Sequence, residues 1–174
     1  MSEFWDIYDE NRNKTGRTAQ RGVYQFKDGE YHIVVTAIIL NMKDEILLDK
    51  RAKNKIYGGM WECCGGSVLA GEKSLDGMLR EIKEELGITF KREEAHFLKE
   101  IKRKKDRARL SDFKDVWVFR RDIKNEEISL PDGEATEFMW VNIDKFIKMY
   151  EEKEIVQSVN FDKEDFEMAL KILG

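Results

Sequence analysis

The chain has 174 residues, with 31 lysines and arginines against 35 aspartates and glutamates, which gives a formal net charge of −4. With 41% hydrophobic residues, 38% charged residues and a single proline, the composition excludes a disordered chain, a collagen-like repeat and a disulfide scaffold. No apolar run approaches the ~20 residues of a membrane-spanning helix, and the acidic balance argues against general affinity for nucleic acid.

The polar first part of the chain, residues 1–30, predicts an N-terminal extension packed on a domain formed by residues 31–174. The opening MSEFWDIYDENRNK lacks the basic start and apolar centre of a secretory signal. Two adjacent cysteines, Cys63 and Cys64, cannot join distant parts of a fold, which favours a reducing compartment. We therefore expect a cytoplasmic protein.

Apolar runs along the chain predict a mixture of strands and helices. Residues 31–40 are β-branched and apolar, which predicts a buried strand, and residues 45–52 predict a second one. Further strands are predicted near 95–102, 112–121 and 137–142, and closing helices near 143–152 and 162–173. Because strands and helices do not alternate regularly, we expect an α/β or α+β fold with a mixed sheet.

The segment 66–88, GSVLAGEKSLDGMLREIKEELGI, predicts a helix that presents acidic residues to a glycine-rich loop. Ser74 is a suitable N-cap and Gly87 a suitable C-terminal stop, and one apolar stripe follows the helical period through Leu75, Met78, Leu79, Ile82 and Leu86. The carboxylates at positions 81, 84 and 85 fall within an arc of about 100° on the side away from that stripe.

These carboxylates, with Glu72 before the helix, admit two interpretations. They can form the solvent-exposed face of an amphipathic helix, or they can bind a metal ion. A donor set of oxygen atoms alone suits a hard cation, Mg²⁺ first and Mn²⁺ next. Arg80 lies among the acids, where it can pair with one of them and orient it.

The spacing of this segment resembles the Nudix box of Nudix hydrolases at every specified position: Gly66, five residues, Glu72, seven residues, then REIKEELGI from Arg80. The resemblance implies an α/β/α sandwich and cleavage of a diphosphate bond, in a nucleotide or nucleoside diphosphate derivative, by metal-activated water. It implies Glu81, Glu84 and Glu85 as metal ligands, with Arg80 and Glu72 in supporting roles.

For substrate binding, the resemblance implies that the backbone at Gly66 and Gly65 approaches the phosphates and that Arg51 contacts them. The alternative for Arg51 is a surface ion pair with an acid. The family does not place its general base at one position, so Glu81, Glu62 and Glu134 stay candidates.

A branch of the family that includes isopentenyl diphosphate isomerase also resembles this chain, through WDIYDENRNKTGRTAQRG, GEYHIVV, ILLDKR and GGMW. The isomerase uses a cysteine immediately before the box glycine, but Gly65 stands there and the nearer cysteine is Cys64. Ser67 replaces an isomerase histidine, although His32 matches another. Hydrolysis is therefore favoured over isomerisation, and a non-catalytic nucleotide-sensing module is a further alternative.

Several other features carry expectations of their own. His32 is expected to be a strand residue with satisfied hydrogen bonds, with a substrate or metal contact as the alternative, and the two cysteines are expected to be small, partly buried hydrophobes beside the site. Trp61 either packs under the loop or stacks on a base. The basic stretch 99–109 is expected to be solvated, with phosphate steering or RNA binding as alternatives. A homodimer is possible.

Overall fold

A computed structural model describes residues 2–104, 110–131, 133–157 and 161–174. The first half of the chain contains six strands and one long helix: β1 (Phe4–Tyr8), β2 (Lys14–Gln20), β3 (His32–Leu40), β4 (Ile46–Arg51), β5 (Trp61–Glu62), β6 (Gly65–Ser67) and α1 (Ser74–Leu86). The described residues of the second half contain three strands and two α-helices: β7 (His96–Arg103), β8 (Asp112–Arg120), β9 (Ala135–Val141), α2 (Ile143–Glu151) and α3 (Lys163–Leu173).

Seven strands form one mixed sheet, which confirms the predicted fold class. The hydrogen-bonded order is β5-β4-β3-β8-β7, with β6 on β3 and β9 on β4. Only β3 and β8 run parallel among these pairs, and they stay in register over their full length. The other strand pairs of the sheet are antiparallel.

Strands β3 and β4 pair beside the turn that joins them and then diverge, and the glycine-rich segment enters the sheet between them. Within the sheet, β3 pairs with β4 at Leu40 and Ile46, whereas its first half pairs with β6 through Val34 and Thr36. The segment from β5 to β6 therefore lies between the two diverging strands. This arrangement places Gly65 and Gly66 at the edge of the cleft described below.

Helices cover both faces of the sheet. One apolar cluster joins the stripe of α1 to one face, including Met78, Ile82 and Leu86, all 1% exposed or less. The other cluster packs α2 and α3 on the opposite face, through Phe146 and Phe166. Among the described residues, no helix is long and apolar enough to span a bilayer.

The polar N-terminal segment forms a separate two-stranded hairpin of β1 and β2. It has a small apolar cluster of its own, containing Trp5, Ile7, Ala19 and Phe26. The hairpin joins the main domain through paired backbone hydrogen bonds between Tyr8 and Tyr31, at 2.8 and 2.9 Å.

Candidate active site

Helix α1 ends at Leu86, as expected from its sequence, but it begins at Ser74 and its N-terminus is built differently. Ser74 was expected to cap the helix, and this is wrong: the cap residue is Lys73, whose side chain makes no capping hydrogen bond. The Ser74 hydroxyl instead accepts a hydrogen bond from the indole of Trp117, at 3.1 Å. The C-terminus follows expectation, because Gly87 ends the helix at φ 71°, in the left-handed region that favours glycine.

The guanidinium of Arg80 holds the acidic face of α1 together. It donates to both oxygens of Glu72, at 2.9 and 3.0 Å, and to Glu81 and Glu84, each at 2.9 Å. A further hydrogen bond reaches the carbonyl oxygen of Ser67 in β6, at 3.0 Å. One planar cation therefore fixes three carboxylates relative to the glycine-rich strand.

Two adjacent glycines allow the close approach of β6 to β3 and to α1. A Cβ at Gly65 would lie 2.2 Å from the carbonyl oxygen of Val35, and one at Gly66 would lie 2.3 Å from Glu81 Oε1. The amide of Gly65 also donates to Glu85 Oε2, at 3.1 Å. The glycines thus make room for the acidic residues of the helix.

The three acids of the helix differ strongly in their exposure. The side chain of Glu84 is 56% exposed and that of Glu81 is 14% exposed. Burial raises the pKa of Glu81, although Arg80 opposes the shift. Burial also raises the pKa of Glu85 to about 8, with contributions from the charges of Glu62 and Glu81. Anionic carboxylates at these positions need a compensating positive charge.

The donor set at the cleft fits a hard divalent cation. Glu81, Glu84 and Glu85 line one cleft of about 420 Å³, and they offer carboxylate oxygens alone, which suits Mg²⁺ or Mn²⁺. In the part of the chain that the structure describes, no three acids converge on one point, since Glu81 and Glu84 both turn towards Arg80. A cation here would offset the burial that raises the pKa of Glu81 and Glu85.

Arg51 and the candidate general bases Glu62 and Glu134 lie around this cleft. Arg51 lines it, pairs with Glu62, and donates to the carbonyl oxygen of Ile56 at 2.8 Å. Glu134 also lines it and pairs with Lys55. Both interpretations of Arg51 thus have support, because it pairs with an acid and faces the cleft.

Two buried charged residues near the cleft escaped the sequence analysis. Asp49 is 2% exposed and faces Glu62 across β4 and β5; burial, with the charges of Glu62 and Glu85, raises its pKa. Lys114 is 3% exposed and lines an adjoining cavity of about 260 Å³, and burial lowers its pKa to about 7. Neither residue stands out in the sequence, because Asp49 is followed by two further charged residues in ILLDKR and Lys114 has charged neighbours in DFKDVWVFR.

The single residues flagged earlier have mixed outcomes. Cys63 and Cys64 are both free, and at 4% and 2% exposed they are more completely buried than expected. Trp61 packs partly buried against the second apolar cluster, with the ammonium of Lys50 5.3 Å from its ring centroid. His32 lies in strand β3 as expected, but the expectation of satisfied hydrogen bonds is wrong, since its buried Nδ1 has no hydrogen-bond partner within the described ranges; the ring stacks on Trp5 at 4.6 Å.

The described members of the basic stretch are engaged within the fold. Lys99 pairs with Asp165 at 2.5 Å, and Arg103 pairs with Asp112 at 2.7 Å. Lys102 donates to a backbone carbonyl and lies 4.9 Å from the ring centroid of Tyr31. The expectation of a wholly solvated stretch is therefore wrong for these three residues, whereas Lys105, Arg107 and Arg109 lie outside the described residues.

Comparison with known proteins connects this geometry to one family. The NUDIX domain model matches residues 30–159. An uncharacterized Nudix hydrolase of Listeria innocua is 33% identical over 150 residues, which cover 82% of this chain and 82% of that protein. An isopentenyl-diphosphate Delta-isomerase of Pectobacterium atrosepticum is 33% identical over 85 residues, or 47% of this chain and 46% of the isomerase.

A solved structure extends the likeness to the whole chain. A Deinococcus radiodurans protein superposes with a TM-score of 0.73 over 99% of this chain and 100% of its own, at 18% identity. At that identity the likeness concerns the fold. Because it covers 99% of this chain, it includes the region of the N-terminal hairpin.

Proposed function

Because the chain belongs to the NUDIX family, whose domain model matches residues 30–159, we propose that it is a Mg²⁺-dependent hydrolase of a diphosphate bond. The substrate is a nucleotide or a nucleoside diphosphate derivative, and Mn²⁺ can replace Mg²⁺. The observation that carries the proposal is the set of carboxylates at positions 81, 84 and 85 in one cleft.

Glu81, Glu84 and Glu85 would hold the metal ion. It would supply positive charge against the phosphate oxygens and would lower the pKa of a coordinated water molecule. Arg80 and Glu72 keep the carboxylates in position, which is supported by the five hydrogen bonds of the Arg80 guanidinium.

The phosphates lie along β6, where glycine leaves the backbone accessible. Gly65 and Gly66 line the cleft together with Arg51. A guanidinium suits a phosphate because its planar fork of donors matches two oxygens at once. Arg51 already donates to Glu62 and Ile56, and these contacts hold it at the edge of the cleft.

The general base is one of Glu62, Glu81 and Glu134. Burial raises the pKa of Glu62, which brings a carboxylate closer to the working pH of a base. Glu134 is more exposed, at 40% of its side chain. The pH dependence of kcat in the three Glu→Gln variants distinguishes them, because loss of the base removes the acidic limb of the profile.

Isomerisation is disfavoured by the surroundings of the cysteines. Gly65 stands immediately before Gly66, where the isomerase branch carries its cysteine. Cys64 is 2% exposed and packs in the apolar cluster beneath α1. Burial and the neighbouring Glu85 raise the pKa of this thiol, so it remains a structural residue in this proposal.

The test is a panel of nucleoside diphosphates, nucleoside triphosphates, nucleotide sugars and dinucleotides, with isopentenyl diphosphate as the comparison. Each compound is incubated with Mg²⁺, with Mn²⁺ or with EDTA, and the products are identified. We expect cleavage of one nucleotide class that requires the metal. Isomerisation of isopentenyl diphosphate, or metal-dependent binding without turnover of any compound, would overturn the proposal.

A further inference from the structure

The N-terminal hairpin is fixed against the loop that precedes the acidic helix. The carbonyl oxygen of Phe4 accepts a hydrogen bond from the amide of Ala70, at 2.7 Å. The carboxylate of Asp6 accepts another from the amide of Gly71, at 2.9 Å. The hairpin therefore has a defined position beside the candidate active site.

A stacked pair of aromatic rings fixes the hairpin to the central sheet. Trp5 in β1 lies 4.6 Å from the ring of His32 in β3, at an interplanar angle of 24°, and Phe26 packs on both rings. Trp5 and His32 are 7% and 5% exposed. These aromatic contacts hold the hairpin against the central sheet.

The end of the hairpin reaches the cleft that is lined by the acidic residues. Arg21 follows β2, and its amide donates to the carbonyl oxygen of Glu3 at 2.9 Å. Its guanidinium pairs with the Glu3 carboxylate at 2.7 Å. Both residues line the cleft with Glu81, and the charge of Glu3 is close enough to contribute to the raised pKa of Glu81.

Arg21 also lines a second cavity, of about 610 Å³, that adjoins the first. Ser67 is common to both cavities, so the two meet at the end of β6. The second cavity lies between the hairpin and the sheet, and its lining includes Trp5, His32 and Tyr57. Arg21 therefore stands at the junction between the acidic cleft and an aromatic cavity.

We propose that Arg21 binds a phosphate of the substrate at this junction, and that the nucleoside linked to that phosphate occupies the second cavity. The inference rests on the proposed function, which it deepens by naming where the non-phosphate part of the substrate lies. Arg21 precedes the region 30–159 that matches the NUDIX domain. The contact is therefore supplied by the hairpin of this chain.

The Arg21 guanidinium is free to exchange its present partner for a phosphate. Its side chain is 62% exposed and that of Glu3 is 43% exposed, and an ion pair in such a position contributes little to stability. A phosphate accepts two parallel hydrogen bonds from a guanidinium and carries more charge than a carboxylate. Substrate binding thus replaces a weak contact with a stronger one.

The lining of the second cavity suits a planar heterocycle better than an alkyl chain. Tyr57 lines the cavity and is 45% exposed, so its ring offers a face for stacking, while the buried pair of Trp5 and His32 forms part of the apolar lining. The same cavity contains the ion pair of Arg103 and Asp112, and an alkyl chain would cover these charged groups without forming hydrogen bonds to them. A base and a ribose provide both a flat face and hydrogen-bonding atoms.

Calorimetric titration with non-hydrolysable probes tests the inference. The probes are methylenediphosphonate and the α,β-methylene analogues of ADP and UDP, each titrated in Mg²⁺ into wild type, Arg21→Ala, Arg21→Lys and Arg17→Ala. Arg17 is the matched control, because it lies on the same hairpin, is 52% exposed and pairs with Glu30. Thermal melting of each variant establishes that the fold is intact.

We expect Arg21→Ala to weaken the binding of all three probes about 10-fold and Arg21→Lys to restore part of the loss, with Arg17→Ala unchanged. At least one nucleoside analogue should bind at least about 10-fold more tightly than methylenediphosphonate. Equal affinities of Arg21→Ala and wild type, or no binding by wild type, would overturn the role of Arg21. Equal affinities for all probes would overturn the nucleoside site.

The two proposals fail separately in these experiments. Binding of the probes requires no turnover, so a loss of affinity in Arg21→Ala supports the inference even if no compound of the substrate panel is cleaved. Conversely, metal-dependent cleavage that is unchanged in Arg21→Ala, in both kcat and KM, leaves the proposed hydrolase intact and overturns the inference.

Discussion

Gly66 and Glu81 lie so close that a Cβ at Gly66 would stand 2.3 Å from one carboxylate oxygen of Glu81 and 2.6 Å from the other. A single methyl group on β6 would therefore displace an acidic side chain of α1. The relationship explains in physical terms why glycine is needed where the strand faces the helix. It also links the backbone of the loop to the candidate metal ligands.

The first prediction concerns Gly66→Ala. The added methyl group pushes the Glu81 carboxylate out of place, and a misplacement of about 1 Å can cost about 100-fold in rate. The clash is with the end of a flexible side chain, so we expect the fold to survive. Turnover and Mn²⁺ affinity should both fall while the melting temperature stays close to that of wild type; unchanged Mn²⁺ affinity would contradict the prediction.

The second prediction concerns Arg80, which connects three carboxylates and a backbone carbonyl. Lysine keeps the charge but cannot reproduce the fork of donors, so Arg80→Lys should reduce kcat about 10-fold to 100-fold, a range typical of groups that orient metal ligands. Arg80→Ala leaves partly buried carboxylates without partners, which should lower the free energy of unfolding by about 1–3 kcal/mol.

Steady-state kinetics and urea denaturation measure these two effects. Lys83→Ala serves as the control, because Lys83 lies on the same helix, is exposed, and is absent from the lining of the acidic cleft. A kcat of Arg80→Lys equal to that of wild type would show that the guanidinium does not position the carboxylates.

The third prediction concerns the proposed metal ligands Glu84 and Glu85. Each Glu→Gln substitution keeps the shape of the side chain and removes its charge, so each should reduce turnover by more than about 100-fold with little change in the fold. Circular dichroism and Mn²⁺ titration accompany the kinetics. If both variants keep wild-type turnover, the assignment of the metal ligands is wrong.

The fourth prediction concerns the stability of the metal-free protein. Burial and the charges of Glu62 and Glu81 raise the pKa of Glu85 to about 8, whereas glutamate in an unfolded chain titrates near pH 4.3. Between these values the folded protein holds a proton that the unfolded chain has released. The stabilisation is therefore present at low pH and is lost as the pH rises towards 8.

Melting curves in EDTA at pH 5 and pH 8.5 test this pH dependence. We expect the wild-type melting temperature to fall over this interval and that of Glu85→Gln to fall less. Glu84→Gln is the matched control, since that side chain is 56% exposed, and it should follow the wild-type slope. Equal slopes in Glu85→Gln and wild type would contradict the prediction.

Local patterns in the sequence predicted much of the central architecture. The apolar stripe of α1 follows a helical period and is buried from Met78 to Leu86, and the β-branched run before Asn41 forms the long strand β3. The sequence predicts these elements because the core covers one face of the helix and both faces of the strand. The spacing of the acids then follows from the helix itself.

Features that depend on contacts between distant parts of the chain could not be predicted from local sequence patterns. Ser74 has a side chain that suits an N-cap, but its hydroxyl accepts a hydrogen bond from the indole of Trp117, which lies on a strand distant in sequence. The strand β2, KTGRTAQ, is mostly exposed and has no apolar face of its own. Its pairing with β1 depends on the packing of Trp5 and Phe26, which no local pattern reveals.

The burial of charged residues around the cleft also depends on contacts between distant parts of the chain. In the sequence, Asp49 is one of the three charged residues of ILLDKR. Its position opposite Glu62 arises from the register between β4 and β5. The placement of Arg21 at the edge of the cleft likewise depends on how the hairpin docks on the domain. Residues that complete the site from outside the box are therefore the ones that require the structure.

Hydrolysis in ¹⁸O-enriched water tests the central claim most directly. The enzyme, Mg²⁺ and the substrate identified from the panel are incubated in labelled water, and the products are analysed by mass spectrometry. The account predicts one ¹⁸O atom in a phosphate-containing product, with turnover lost in EDTA and in Glu85→Gln. Label in a product without phosphorus, or turnover that persists in EDTA, would contradict it.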